Sequence, residues 1–441
     1  MTDESLSAHR RVSLKTHTRS AMDPGVPLDS IVALLQALVR IPSRAVEDDL
    51  APVARCIEQW FVARGLRHRV LRADSGTLLG LYAEVQGTRG PGPWTVLDAT
   101  LDTADFGALD SWRHSPTSAL VEDGWLHGRG SADSKAGVAL FAHLLQDFAA
   151  SPDAVAGRIG VLFDCDEHSG RFGGARAFFD RPFDDRAAGA PRPDGVVIGY
   201  PGMDAIVNGC RGFLRARVRV HGVAAHSGAT QERGVNAVAR AADLCVSLQA
   251  LGLPGARSPF PLPPQLTVTG IRGGGDGYSQ VPDVCELRVD VRLTPDFDDA
   301  AARNALAAAV QRADATRGPA RASDIEWIDG WPAYQVPPSH PLAAAMQRAA
   351  QLELGVEVPT AVVGPSNIGN YLASLGVPAL CGFGVVAEGV HAANGRVELA
   401  SVAPVYRIYR AALQRLHGAG ADGAAAARVK LLPETPPRAW P

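Results

Sequence analysis

Three short apolar segments, LLGLYAEV (78–85), TVLDATLD (95–102) and RIGVLFDCD (158–166), constrain most strongly what this chain can become. Each is short and nearly continuous in its apolar run, the pattern of a strand buried on both faces. Between the last two lies a helix-like run, GVALFAHLLQDF, which starts near Lys135. Two further helical patterns come earlier. Ile31, Leu34, Leu35, Leu38 and Val39 share one face of a run that ends before Pro42, and a second run carries Val53, Cys56, Ile57, Trp60 and Phe61. Strands alternating with helices predict an α/β domain with a mostly parallel sheet covered by helices.

After Pro201 the pattern changes. RGFLRARVRVHGV (211–223) and ELRVDVRL (286–293) alternate with period two, so one face of each meets solvent. Helical stretches at 236–251 and 300–313 accompany them, which predicts a small α+β domain. The helix-like run 342–354 and the apolar run 378–383 then resume the first style. The expected organisation is therefore a polar leader over 1–26 and an α/β domain over 27–209. An inserted α+β domain over 210–322 follows, then the rest of the α/β domain over 323–417. An Ala/Gly-rich, then Pro-rich, mobile tail over 418–441 ends the chain.

Composition narrows the partners. The chain of 441 residues has a net charge of −3, which argues against a nucleic-acid partner. No apolar run approaches the roughly 18 residues of a membrane helix. The N-terminal MTDESLSAHRR is not followed by an apolar stretch of the kind an export signal requires. Six cysteines, Cys56, Cys165, Cys210, Cys245, Cys285 and Cys381, have neither metal-ligand nor disulfide spacing, and read as reduced thiols of a cytoplasmic protein.

In open parallel sheets, ligands bind beyond the carboxyl ends of the strands. Here TVLDATLD ends in Asp98, Thr100 and Asp102, RIGVLFDCD is followed by Glu167-His168, and VVIGY ends in Tyr200. Gly128–Lys135 leads into a helix and contains Asp133, and Gly389-Val390-His391 lies in a Gly-rich loop. Singly, each has a plain structural explanation. An Asp before a helix is commonly an N-cap, and Asp-Glu-His after a strand can be a solvated turn. The glycines of 128–135 match neither nucleotide-binding fingerprint. Together, a carboxylate, a Glu-His pair and a distant His at strand ends suit a metal hydrolase. Imidazole and carboxylate bind Zn or Mn, and a spare Glu can activate water.

The order of these motifs resembles the co-catalytic metallopeptidase and amidohydrolase family of carboxypeptidase G, acetylornithine deacetylase and succinyl-diaminopimelate desuccinylase, over about residues 28–415. The most specific piece is LDTADFGALDSWRHSPTSALVEDGWLHGRGSADSKAGVALF (101–141), similar to the family's run H-x-D-T-V-P, W-x-x-P-F, D-G-x-L-x-G-R-G-x-x-D-x-K-G. Asp166-Glu167-His168-Ser169-Gly170 stands at the Asp-Glu-Glu-x-G motif. The signature G-x-x-A-H-S, then G-x-N-A, appears at Gly222–Ser227 and Gly234–Ala237. The resemblance implies a zinc-peptidase-like catalytic domain with an inserted lid and dimerisation domain, a homodimer, and hydrolysis of an amide or other C–N bond in a small molecule. It makes Asp133 a bridging metal ligand and Glu167 the general base. His226, on the lid, would stabilise the developing oxyanion in the neighbouring subunit's site.

The family holds two metal ions, and the sequence departs from its ligand set. One metal's positions read Asp133, His168 and His391, which can still bind. The other's read Thr100 and Tyr200, which are not usual ligands for Zn or Mn. One reading is decay to a metal-free binding protein or pseudoenzyme. The other is a site rebuilt for one divalent metal per chain, Zn or Mn, on Asp133, His168 and His391. Charge favours the rebuilt site. Omitting a divalent cation removes two positive charges, and His168 and Tyr200 in place of two acids remove two negative ones, so no uncompensated charge is buried. A changed reaction on the same fold, such as acyl transfer, amide formation or deamination, is a further alternative. Asp102, without a His at 100 to orient, could bind substrate or hold Thr100, and Tyr200 could donate to substrate or fill space. Arg292 is the candidate for a substrate carboxylate, and Ser366-Asn367 replaces the family's Thr-Asp.

Overall fold

The computed structural model describes residues 25–180, 192–231, 234–255, 260–315 and 321–418. The expected leader up to residue 24 and the expected tail beyond Gly418 lie outside these residues. Two compact units form. The first takes the described residues up to Asn208, together with Val336–Ala361 and those from Gly376 on. The second takes Gly209–Gln335 and Val362–Leu375.

The first unit opens with helices α1 (Leu28–Arg40) and α2 (Ala51–Val62). Ile31, Leu34, Leu35, Leu38 and Val39 are the buried face of α1, as the spacing predicts. Strands β1 (His68–Arg72), β2 (Leu78–Gln86) and β3 (Trp94–Thr100) follow, and then the small hairpin β4 (Val121–Glu122) and β5 (Trp125–His127). Helix α3 (Ala136–Ala150), strand β6 (Arg158–Asp164), helix α4 (Gly173–Phe179) and strand β7 (Gly195–Ile198) come next. The main sheet runs β1-β2-β6-β3-β7 and ends on the strand Ala379–Leu380. Its pairs from β6 to Ala379–Leu380 are parallel, and β1 and β2 add an antiparallel edge. The last strand is shorter than the apolar run 378–383 predicts. Beyond Leu380, the backbone of Cys381 and Gly382 bonds to Val207 instead of to β7.

Strand β3 is buried along its whole length, which explains its unbroken apolar reading. On one side of it α3 packs so closely that a Cβ on Gly137 would stand 3.2 Å from the Ala99 Cβ. At the end of the neighbouring β6, the start of α4 donates the N–H groups of Gly174 and Ala175 to the buried Asp164 carboxyl. Burial is the main reason that Asp164 is pushed up to about 8, with the charge of Asp102 adding to it.

Lys135 couples the start of α3 to α1. Its side chain is fully buried, and Nζ donates to the carbonyls of Leu38 and Ile41 at 2.9 and 3.0 Å. These belong to the end of α1, where helical carbonyls lack an internal partner. Burial draws the Lys135 amine down to about 7.

The second unit is a four-stranded antiparallel sheet with Val284–Leu293 and Gly212–His221 at its centre and Gln265–Gly273 and Asp324–Trp331 at its edges. Helices Ala237–Gln249 and Asp299–Asp314 cover one face, burying Leu244, Leu248 and Leu306 against Leu214, Val218, Leu287 and Val291. The period-two strands thus have one apolar and one charged face, as their alternation predicts. All six cysteines are thiols outside any disulfide.

Candidate metal centre

The chemistry-bearing residues of the first unit meet at the carboxyl ends of β3, β6 and β7. Asp133 sits in a tight turn over Ser131–Lys135, outside regular helical geometry, with φ −122° and ψ 92°, and its peptide bond to Ser134 is cis. Gly130 enters that turn with φ 75°, and a Cβ there would run into Thr103. Ser134 Oγ accepts the N–H of Thr100, pinning the turn to the end of β3.

Asp133, His168 and His391 converge. His391 Nε2 lies 2.8 Å from Asp133 Oδ2, and His168 Nε2 lies 3.5 Å from the same oxygen. One donor atom from each of the three falls within 4.8 Å of the others. Asp133 Oδ1 and both ring nitrogens of His168 are buried and make no hydrogen bond. Native interiors rarely leave such atoms without a partner, so the donor set fits a cation on chemical grounds. An open recess runs past Arg129, Asp133, His168 and His391.

The surrounding carboxylates orient this set. Asp102, fully buried, accepts the N–H of Glu167 and of His168 at 3.2 and 2.8 Å. It also faces His168 Nδ1 at 3.4 Å, while Glu167 Oε2 stands 3.3 Å from the same nitrogen. This is the carboxylate–imidazole arrangement that leaves Nε2 for a metal. Burial opposes charge on His168, but Asp102, Asp133 and Glu167 outweigh it and raise the ring to about 11. Burial also works to raise Asp133, and the two histidines overcome it, holding that carboxyl well below the usual range. Glu167 is pushed up to about 7, chiefly by burial.

Thr100 and Tyr200 each spend their hydroxyl on a neighbouring carboxylate. Thr100 Oγ1 donates to Asp102 Oδ1. Tyr200 donates to Glu167 Oε1 at 2.5 Å. Asp102 therefore holds Thr100 and carries the Glu167–His168 backbone. Asp98, behind them on β3, is fully buried with both carboxyl oxygens unpartnered. Burial, then the charges of Asp164 and Glu167, raise it well above the usual carboxylate range.

His226, Arg292, Ser366 and Asn367 belong to the second unit. His226 is exposed on a short strand, its Nδ1 accepting the N–H of Gly228 at 3.0 Å. Arg292 pairs with Asp290 at 2.8 Å and reaches Ser366 Oγ at 3.5 Å. Asn367 caps the helix Ile368–Ser374 and donates to Cys210 Sγ at 2.9 Å. The sequence carries no sign of a further grouping of His114, Glu122 and His127 beyond the Asp-Gly turn of β4–β5.

Residues 96–415 match the peptidase family M20/M25/M40. The chain belongs to that family. Membership makes it a metal-dependent hydrolase of amide bonds. A succinyl-diaminopimelate desuccinylase of Bordetella petrii is 28% identical over 396 residues, covering 88% of this chain and 98% of that protein. The fold is shared with a tripeptidase of Staphylococcus aureus (TM-score 0.69, 19% identity, 89% and 99% of the two chains). It is shared also with a dinuclear metal-binding M20 peptidase of Bacillus subtilis (TM-score 0.65, 15% identity, 88% and 97%). Among the described residues of this M20 chain, no helix is long and apolar enough to cross a membrane.

Proposed function

We propose that the chain hydrolyses an amide or other C–N bond of a small molecule with one divalent metal, Zn or Mn, held by Asp133, His168 and His391. One observation carries the reading. The donor atoms of these three residues converge, with Asp133 Oδ1 and both ring nitrogens of His168 left unpartnered, while the hydroxyls at the other metal's expected positions, Thr100 and Tyr200, are engaged by Asp102 and Glu167. A divalent cation held by Asp133, His168 and His391 would supply Lewis acidity and make a nearby water easier to deprotonate.

Glu167 moves the proton. Tyr200 occupies its Oε1, which leaves Oε2 to take a proton from the attacking water and return it to the leaving nitrogen. The Glu167 side chain, buried among Asp102, Asp133 and His168, is the spare carboxyl of the centre. Asp102 fixes the backbone of Glu167 and the ring of His168 together. His226 is the proposed oxyanion donor, and Arg292, with Ser366 beside it and Asn367 next in the chain, the proposed grip on a substrate carboxylate. The desuccinylase relative makes an N-acylated amine the first substrate class to try. Cysteines outside any disulfide agree with a cytoplasmic, reducing setting.

Elemental analysis of chelator-free protein tests the metal. Asp133→Ala is expected to lower the bound Zn or Mn by one equivalent per chain. A loss of two would mean a bridged pair and would sink the single-metal reading. We further propose a homodimer through the second unit. Light scattering is expected to return twice the chain mass, and a monomer that retains full turnover would exclude a role for the partner's lid.

A further inference from the structure

The β4–β5 hairpin turns on Asp123 and Gly124, both with positive φ (51° and 80°), a two-residue turn whose twist matches the flanking strands. Its register sets Glu122 opposite Trp125. Glu122 and His127, two residues beyond Trp125, therefore share one face of the hairpin. His114, from the preceding loop, lies against that face. Its Nε2 is 3.4 Å from Glu122 Oε2, and its ring centroid is 5.0 Å from that of His127. One donor atom from each residue falls within 4.8 Å of the other two. His127 is buried, and His114 and Glu122 are partly so. His114 Nε2 is shielded from water and makes no hydrogen bond, a cost unless something meets it.

We infer that His114, Glu122 and His127 form a second divalent-cation site of the zinc type, separate from the centre at Asp133. Two imidazoles and one carboxylate with a position left open are a usual zinc donor set. Burial, then the neighbouring His114, lower the pKa of His127, which favours the neutral ring that binds metal. Two cations are close, and neither fills the site. Arg113 Nη2 stands 3.4 Å from Glu122, but its side chain is 71% exposed and can turn into water. Arg396, in register with His127, is held by Glu388 at 2.7 Å and lies over the Trp125 ring. A metal here clips the loop to the hairpin. Six residues past His127 the chain reaches Asp133, so the clip steadies the segment that delivers that ligand.

The test does not depend on the catalytic reading. Zinc titrated calorimetrically into the full-length Asp133→Ala chain is expected to fill one site per chain, and Co²⁺ in its place to give tetrahedral absorption. His114→Ala and Glu122→Gln, each added to that background, are expected to weaken zinc by about tenfold or more and to abolish the rise in melting temperature that zinc causes. In the otherwise unaltered chain, His114→Ala is expected to lower bound zinc by one equivalent, which guards against misfolding of Asp133→Ala. No zinc bound by Asp133→Ala, with none lost on His114→Ala alone, would overturn the site. So would binding that neither substitution weakens.

Discussion

Glu167→Gln is expected to lower kcat by about 10²–10⁴-fold while leaving metal content and ligand affinity near those of the parent chain. Glutamine keeps the shape of the side chain and can still accept the Tyr200 hydroxyl bond that Glu167 Oε1 accepts. It cannot carry a proton from water to a leaving nitrogen. The backbone N–H of residue 167 still meets Asp102, so His168 stays in place and the loss is chemical. Turnover of N-acylated amino acids and dipeptides, measured beside equilibrium binding of an uncleaved amide analogue, separates the two effects. Full turnover in Glu167→Gln would mean that another group is the base. A protein that merely binds would show unchanged affinity with no turnover in either form.

Thr100→His combined with Tyr200→Glu is expected to raise the metal content at the Asp133 centre by one equivalent per chain. The two substitutions return to this chain the ligand types that its family places at those positions. The space is set up to receive them. Residue 100 ends a fully buried strand beside Asp102, and Tyr200 already reaches Glu167. The same change frees Asp102 to face an imidazole at residue 100 as well as His168. It also adds an acid beside Glu167, whose burial already makes charge costly, so the gain depends on the new cation entering. Elemental analysis and zinc calorimetry read the outcome. If the unaltered chain already holds two ions at Asp133, or the double variant gains none, the account of a site rebuilt around one metal fails.

Much of the fold was legible because burial writes itself into periodicity. The apolar run of β3 and the face of α1 carried their own signals. The strand at Ala379–Leu380 was legible only in part, since the neighbour that takes over its backbone bonds, Val207, lies far away in sequence. At the centre, residue types and motif order pointed to Asp133, His168 and His391, and their donor atoms do converge. The engagement of Thr100 by Asp102 and of Tyr200 by Glu167 depends on side-chain direction, which a string of residues does not carry. His114, Glu122 and His127 were silent for the same reason. Their meeting follows from a two-residue turn and a loop folding back over it.

The way Asp102 is used bears on how such a chain can change over generations. A single buried carboxylate holds the backbone of Glu167, that of His168, and the hydroxyl of Thr100. Its grip on the first two runs through main-chain N–H groups and asks nothing of the residue at position 100. Drift at that position can therefore change the side chain there while Glu167 and His168 remain moored. Asp102 itself has no such latitude, because its loss would release both at once. The same architecture that makes one half of the centre open to innovation makes the other half resistant to it.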